Sequence, residues 1–138
     1  MRLLELPGVG IMTATAIIAK VEDFSSFKSG RDFGAWLGLT PKEYASAEKR
    51  KQGGITKKGD RYIRTLLIHG ARASINATLN VDKRGTSYHR WIHETVNRIG
   101  KNKAAVALAN KYARMIWAIM YHDRKINLSD SLQYQMAR

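Results

Sequence analysis

The chain has 138 residues, 24 Lys+Arg against 11 Asp+Glu for a formal net charge of +13, and 44% hydrophobic residues. That length suits one domain, and the hydrophobic share is enough for a core, which excludes a disordered basic tail. With no cysteine, disulfides, thiolate metal sites and a Cys nucleophile are excluded, and the longest apolar run, Ile11 to Ala19, is too short to cross a membrane.

The expectation is a soluble, cytoplasmic, strongly basic domain whose natural partner is a polyanion, most simply nucleic acid. The charge is uneven. Residues 1–40 hold four basic and four acidic residues, whereas residues 41–138 hold 20 and seven, so the whole +13 falls after Thr40. A neutral packing part, residues 1–40, is expected before a basic helical part, residues 41–124, the two forming one domain with a polar tail over 125–138.

In chain order, Met1 to Leu6 reads as the tail of a helix, a start that predicts a fragment of a longer protein. Pro7-Gly8-Val9-Gly10 is a tight turn, and a helix follows over about residues 11–20. Ser26 or Ser29 can cap a short helix carrying Phe33, Trp36 and Leu37. Residues 40–59, charged and holding three glycines, predict a basic loop or a short β-hairpin turning at Gly53-Gly54. A long helix should run from Asp60 to Leu79. At about 100° per residue, Tyr62, Ile63, Leu66, Leu67, Gly70, Ala73 and Ala77 share a core arc, with Arg61, Arg64, Thr65, Ile68 and Arg72 on a basic arc behind it. Two more helices fit residues 87–99 and 102–122, broken at Gly100. On the last, Ala105, Leu108, Tyr112, Met115, Ile116 and Ile119 share one face and Lys103, Asn110 and Arg114 the opposite one. The fold class is therefore mainly α, a compact helical domain.

Several constellations could carry chemistry. The glycine turn opening a helix, with Gly8 and Gly10, points backbone N–H groups and a positive helix end outward, which suits a phosphate oxygen; it resembles the hairpin of helix-hairpin-helix modules. The basic loop carries Lys49, Arg50, Lys51, Lys57 and Lys58 and continues onto the helix through Arg61, Arg64 and Arg72. Basic side chains among glycines suit sugar-phosphate contacts. Lys103 and Arg114 add charge on the last helix. His89 and His93 stand four apart, a spacing that can bind a metal, but position 90 is Arg90 and no third ligand is evident, so no metal is expected on this chain. The acidic residues are scattered, with no triplet or quartet that reads as a Mg²⁺ site. Phosphoryl transfer would then need a hydroxyl nucleophile or a metal site from elsewhere. Ser46, on an electropositive loop between Ala45 and Ala47, could attack a phosphodiester while Arg and Lys stabilise the developing charge; most loop serines are simply turn residues.

Three blocks resemble one family. Leu6-Pro7-Gly8-Val9-Gly10 with Thr13-Ala14 is the first. Leu37-Gly38-Leu39-Thr40-Pro41, Ser46, the run from Gly53 to Leu67, and His69-Gly70-Ala71-Arg72 form the second. The third runs from Gly100 to Lys111, with Ala113-Arg114 and Trp117-Ala118 after it. Together they resemble the C-terminal transposase domain of the DEDD-type insertion-sequence transposases, the IS110 family, and within it the IS1111 subgroup. The resemblance implies a DNA-binding domain that supplies a nucleophilic serine, matched by Ser46, for strand exchange with a RuvC-like domain holding Mg²⁺ that this chain lacks. It departs at Ala45-Ser46-Ala47-Glu48, where relatives commonly carry glycine beside the serine. It also implies a structured guide RNA, a homo-oligomer, no membrane, a nucleoid location in bacteria, and inactivity of this part alone. The alternative is a non-catalytic nucleic-acid-binding module of helix-hairpin-helix type, or an oligomerisation module.

Overall fold

The structure, a computed structural model, describes residues 2–43, 52–55, 60–80 and 85–122. Three of its helices begin where a side chain replaces a missing backbone partner of the first turn. A 3-10 turn over Arg2–Glu5 leads to α1, Ile11–Lys20. A second such turn, Phe24–Ser26, precedes α2, Gly30–Trp36, which is capped by Ser29: its side chain accepts from Asp32 N–H at 3.2 Å. Asp60 caps α3, Arg61–Leu79, by accepting from Ile63 N–H at 2.9 Å. Its other oxygen pairs with Lys20 Nζ at 3.4 Å, tying the end of α1 to the start of α3. Thr86 caps α4, Ser87–Ile99. Gly100, at φ +88°, turns the chain into α5, Lys101–His122.

Between α2 and α3 lies a two-stranded antiparallel ladder, β1, Pro41–Glu43, and β2, Gln52–Ile55, with Pro41 opposite Ile55 and Glu43 opposite Gln52. Gly53 and Gly54 therefore lie within β2. The expected turn at Gly53-Gly54 is corrected, because the connection between the strands falls on residues 44–51.

The long helix α5 is the spine of the core. Ala105, Leu108, Tyr112, Met115, Ile116 and Ile119 are buried, as their shared arc predicts, but so are Ala104, Ala109 and Ala113. Small residues on that second side let α2 ride close. A Cβ added to Gly30 would stand 3.0 Å from Arg114 Cα, and one added to Gly34 would stand 2.5 Å from Asn110 Oδ1. The reading of Lys103, Asn110 and Arg114 as one outward face is corrected accordingly: Lys103 is exposed, whereas Asn110 and Arg114 are half-buried under α2. α2 closes with Gly38 at φ +77°, its N–H returning to Ala35 O and the N–H of Leu39 to Gly34 O, a Schellman end. Phe33 of α2 anchors an aromatic cluster with Phe24, Phe27 and Trp36.

The face of α3 that meets the core differs from the sequence reading by about 100°, roughly one residue's turn. Ile63, Arg64, Leu67, Ala71, Ile75 and Thr78 are buried, while Tyr62, Ala73 and Ala77 are exposed. Tyr and Ala are compatible with either side of a helix, and counting them as core pulled the arc off the Ile63–Leu67–Ala71–Ile75 line. Arg64 is 6% exposed and its Nη1 donates to Leu37 O at 3.3 Å, at the C-terminal end of α2. A cation there also meets the negative end of a helix.

Candidate nucleic-acid interface

Leu6 and Val9 are buried and fix the glycine turn to the core, with Val9 N–H donating to Leu6 O at 3.1 Å. The two glycines of the turn do different work. Gly8, at φ +87°, adopts a left-handed conformation open to residues without a Cβ. It also abuts α3 backbone to backbone: a Cβ on Gly8 would stand 2.5 Å from Gly70 O, and one on Gly70 would overlap Gly8 O. Gly8 is thus a packing residue. Gly10 is exposed, has open space where a Cβ would go, and N-caps α1 without a side-chain hydrogen bond. The first-turn amides of α1 accordingly have no capping oxygen from Gly10, and no acidic residue lies in that turn. An anion is the group such a helix end favours.

The solvent side of α3 carries two exposed cations, Arg61 and Arg72. Arg61, Thr65, His69, Arg72 and Asn76 are all exposed at helical spacing, and α3 contains no Asp or Glu. Asp60, just before it, is committed to the cap and to Lys20. Among the described residues no carboxylate pairs with Arg61 or Arg72. The predicted basic stripe therefore holds for Arg61 and Arg72, and Arg64 leaves it for the core. The sequence reading missed Tyr62, His69 and Asn76 as outward residues, since it placed the core arc over Tyr62.

Elsewhere, Lys103 is exposed in the first turn of α5 beside Lys101 and Asn102, and Arg90 and Arg98 are exposed on α4. Lys111, half-buried, sits over the Trp91 ring at 5.1 Å; burial, and secondarily Arg114, hold its ammonium below the usual lysine range. His89 Nδ1 and His93 Nε2 are buried with no hydrogen-bond partner among the described residues, and Gly85 lies against the His89 ring. A Mg²⁺ or transition-metal site does not fit the described residues: they contain no group of three or more His, Asp or Glu that could hold an ion. Inside the fold, Tyr88 and Tyr112 hydroxyls lie 2.9 Å apart, and the Tyr112 hydroxyl donates to Ser74 Oγ at 3.1 Å.

Ser46, Lys49, Arg50, Lys51, Lys57 and Lys58 lie outside the described residues. What is described is the frame on either side of them. The β1–β2 ladder brings Glu43 opposite Gln52, so both ends of the segment carrying Ser46 are held together. The Arg64–Leu37 bond holds the approach to β1 against the first turn of α3. No helix among the described residues is long and apolar enough to cross a membrane.

Comparison with known proteins relates the chain to a class of transposases. The family described as the transposase IS116/IS110/IS902 family matches residues 1–91, and the chain belongs to that family. It is 44% identical over 120 residues to a family 20 transposase of Pseudomonas aeruginosa, covering 86% of this chain and 34% of the relative. It is 42% identical over 120 residues to the transposase for insertion sequence element IS1111A of Coxiella burnetii, covering 86% and 32%. The transposase for IS1328 of Yersinia enterocolitica is 36% identical over 118 residues. The chain thus spans about a third of the length of these relatives. No solved structure matches it significantly.

Proposed function

We propose that this chain is the DNA-binding, serine-bearing part of an insertion-sequence transposase. The observation that carries the reading is the exposed face of α3, where Arg61 and Arg72 have no acidic partner among the described residues. It begins directly after the strand pair that closes the segment holding Ser46. Arg61 and Arg72 would contact backbone phosphates, joined by Lys49, Arg50, Lys51, Lys57 and Lys58 on the flanking segments. Gly10, at the open end of α1, would meet a further phosphate in the manner of a helix-hairpin-helix turn, with Gly8 holding that turn on α3. Lys103 and Arg114 are the weaker candidates, Arg114 because α2 half-covers it.

Ser46 is the proposed nucleophile. Its Oγ–P bond would form as one P–O ester bond of a DNA strand breaks; the serine proton passes to a base and the departing sugar oxygen takes up a proton. Neighbouring cations stabilise the charge that develops on phosphorus. The Mg²⁺ expected for the family would be held by the RuvC-like domain beyond this chain. A guide RNA and a homo-oligomer belong to the same reading, which places the protein on bacterial DNA in the cytoplasm.

The test is Ser46→Ala in the longer transposase that carries this sequence. Strand exchange should be abolished while DNA binding, measured by anisotropy, is unchanged. A variant that still recombines would rule out Ser46. Binding itself should weaken with salt at a log–log slope of about −0.9 per phosphate neutralised on duplex DNA; salt-insensitive binding would count against the α3 face.

A further inference from the structure

Tyr62 is 55% exposed in the first turn of α3. It cannot reach the core as the helix stands, because at about 100° per residue it lies opposite buried Ala71. The same arithmetic sets Tyr62 and His69 on one line, seven residues or about 10 Å apart along the axis. Beside that line runs a second, made of Arg61, Thr65 and Arg72, all exposed. Arg61 and Arg72 stand about 16 Å apart on it. Two flat rings thus lie alongside a row of cations and a hydroxyl, on a helix without a single carboxylate.

In a duplex the flat faces of bases are covered by their stacking neighbours, and only their edges and the phosphates are offered to a protein. An exposed ring face finds a partner in a base that has left the stack, and the pairing of aromatic platforms with a cationic track is what binds single strands. Resting on the DNA-binding reading above, we infer that the outer face of α3 takes an unpaired DNA strand. The phosphates follow Arg61, Thr65 and Arg72, and a base stacks on Tyr62, with His69 two turns along as a second, lesser platform.

The test uses the full 138-residue chain with a labelled oligothymidylate and a blunt DNA duplex of equal length, read by fluorescence anisotropy. Tyr62→Ala should weaken binding of the single strand by about 5- to 150-fold, the loss of one base–aromatic stack, and leave duplex binding within about twofold. Tyr62→Phe should restore single-strand binding, since the ring and not the hydroxyl does the stacking. Arg61→Gln with Arg72→Gln should weaken both ligands. If Tyr62→Ala affects neither ligand, or both equally, while the arginine pair still matters, the single-strand inference fails and the DNA-binding reading stands. If neither DNA is bound by the unaltered chain, both fail. Tighter binding of oligouridylate than of oligothymidylate, sensitive to Tyr62, would overturn the choice of DNA. Because Tyr62 is exposed, an unchanged thermal melt of the variant separates loss of binding from loss of fold.

Discussion

Arg64 and Arg72 are two turns apart on one helix, and their surroundings give them opposite roles. Arg64 is buried and donates to the Leu37 carbonyl at 3.3 Å; Arg72 is exposed with no acidic partner among the described residues. Replacing Arg64 with Ala leaves a buried carbonyl short of a donor and removes the packed aliphatic stem, at a cost of about 1–3 kcal/mol. Arg64→Ala should therefore lower the urea midpoint of unfolding and leave DNA affinity in the folded protein nearly unchanged. Arg72→Gln should do the reverse. A loss of affinity in Arg64→Ala at full folding would return that side chain to the binding face. Tyr112 offers a second residue-scale check. Burial pushes its hydroxyl well above the ordinary tyrosine range and raises that of Tyr88 as well. Both hydroxyls stay protonated in the fold, whereas in the unfolded chain they ionise near about pH 10. Their contribution is complete below about pH 10 and is lost as pH rises further, because the unfolded chain then binds fewer protons. Stability measured by denaturant titration should fall above about pH 10, and less steeply in Tyr112→Phe. The same variant should lose about 1–3 kcal/mol at neutral pH, where Ser74 and Tyr88 lose a partner; an identical slope in both proteins would contradict this account.

At the scale of elements, the sequence predicts boundaries better than faces. Ser29, Asp60 and Gly100 are local signals read within one turn of the chain, and the structure puts α2, α3 and α5 where those signals lie. The 87–99 helix matches to the residue. The inner line of α5 was equally legible, because large apolar side chains mark it. The face of α3 was not: the acceptor that draws Arg64 inward, Leu37 O, lies 27 residues away in sequence, and no local pattern announces it. The contact between Gly8 and Gly70 is likewise long-range, so both glycines read only as a turn residue and a small helix residue. That contact yields a prediction. Gly70→Ala should destabilise by several kcal/mol, because the clash is with Gly8 backbone and not with a movable side chain. Gly10→Ala, in open space and at a negative φ, should fold normally. Thermal melting distinguishes them, and equal melting temperatures would deny that the glycine turn is seated on α3. Of the candidate site, Arg61, Arg72 and Gly10 were legible as exposed positions. Tyr62 was not, since its placement depends on the rotation of the whole helix.

For the whole molecule, the charge that begins after Thr40 separates two kinds of surface. The first 40 residues pack α1 and α2 on the core and carry no net charge, while the excess of cations falls on α3, α4, α5 and the segments after Thr40. The serine of the proposed chemistry sits in one of those segments, between strands that hold its ends together. The described residues contain no group of three or more His, Asp or Glu able to hold a metal, and the chain spans about a third of the length of its relatives. Under the proposed function the labour is divided: this part would hold DNA and a hydroxyl, and another part of the transposase would supply the metal. The most direct measurement is to denature a strand-exchange reaction of the longer transposase, digest it with trypsin, and locate any DNA-linked peptide by mass spectrometry. A phosphodiester-linked peptide spanning Glu43 to Lys49 is expected, with the link on Ser46 and no adduct in Ser46→Ala. Strand exchange that proceeds with no adduct, or with the link on another residue, would contradict it.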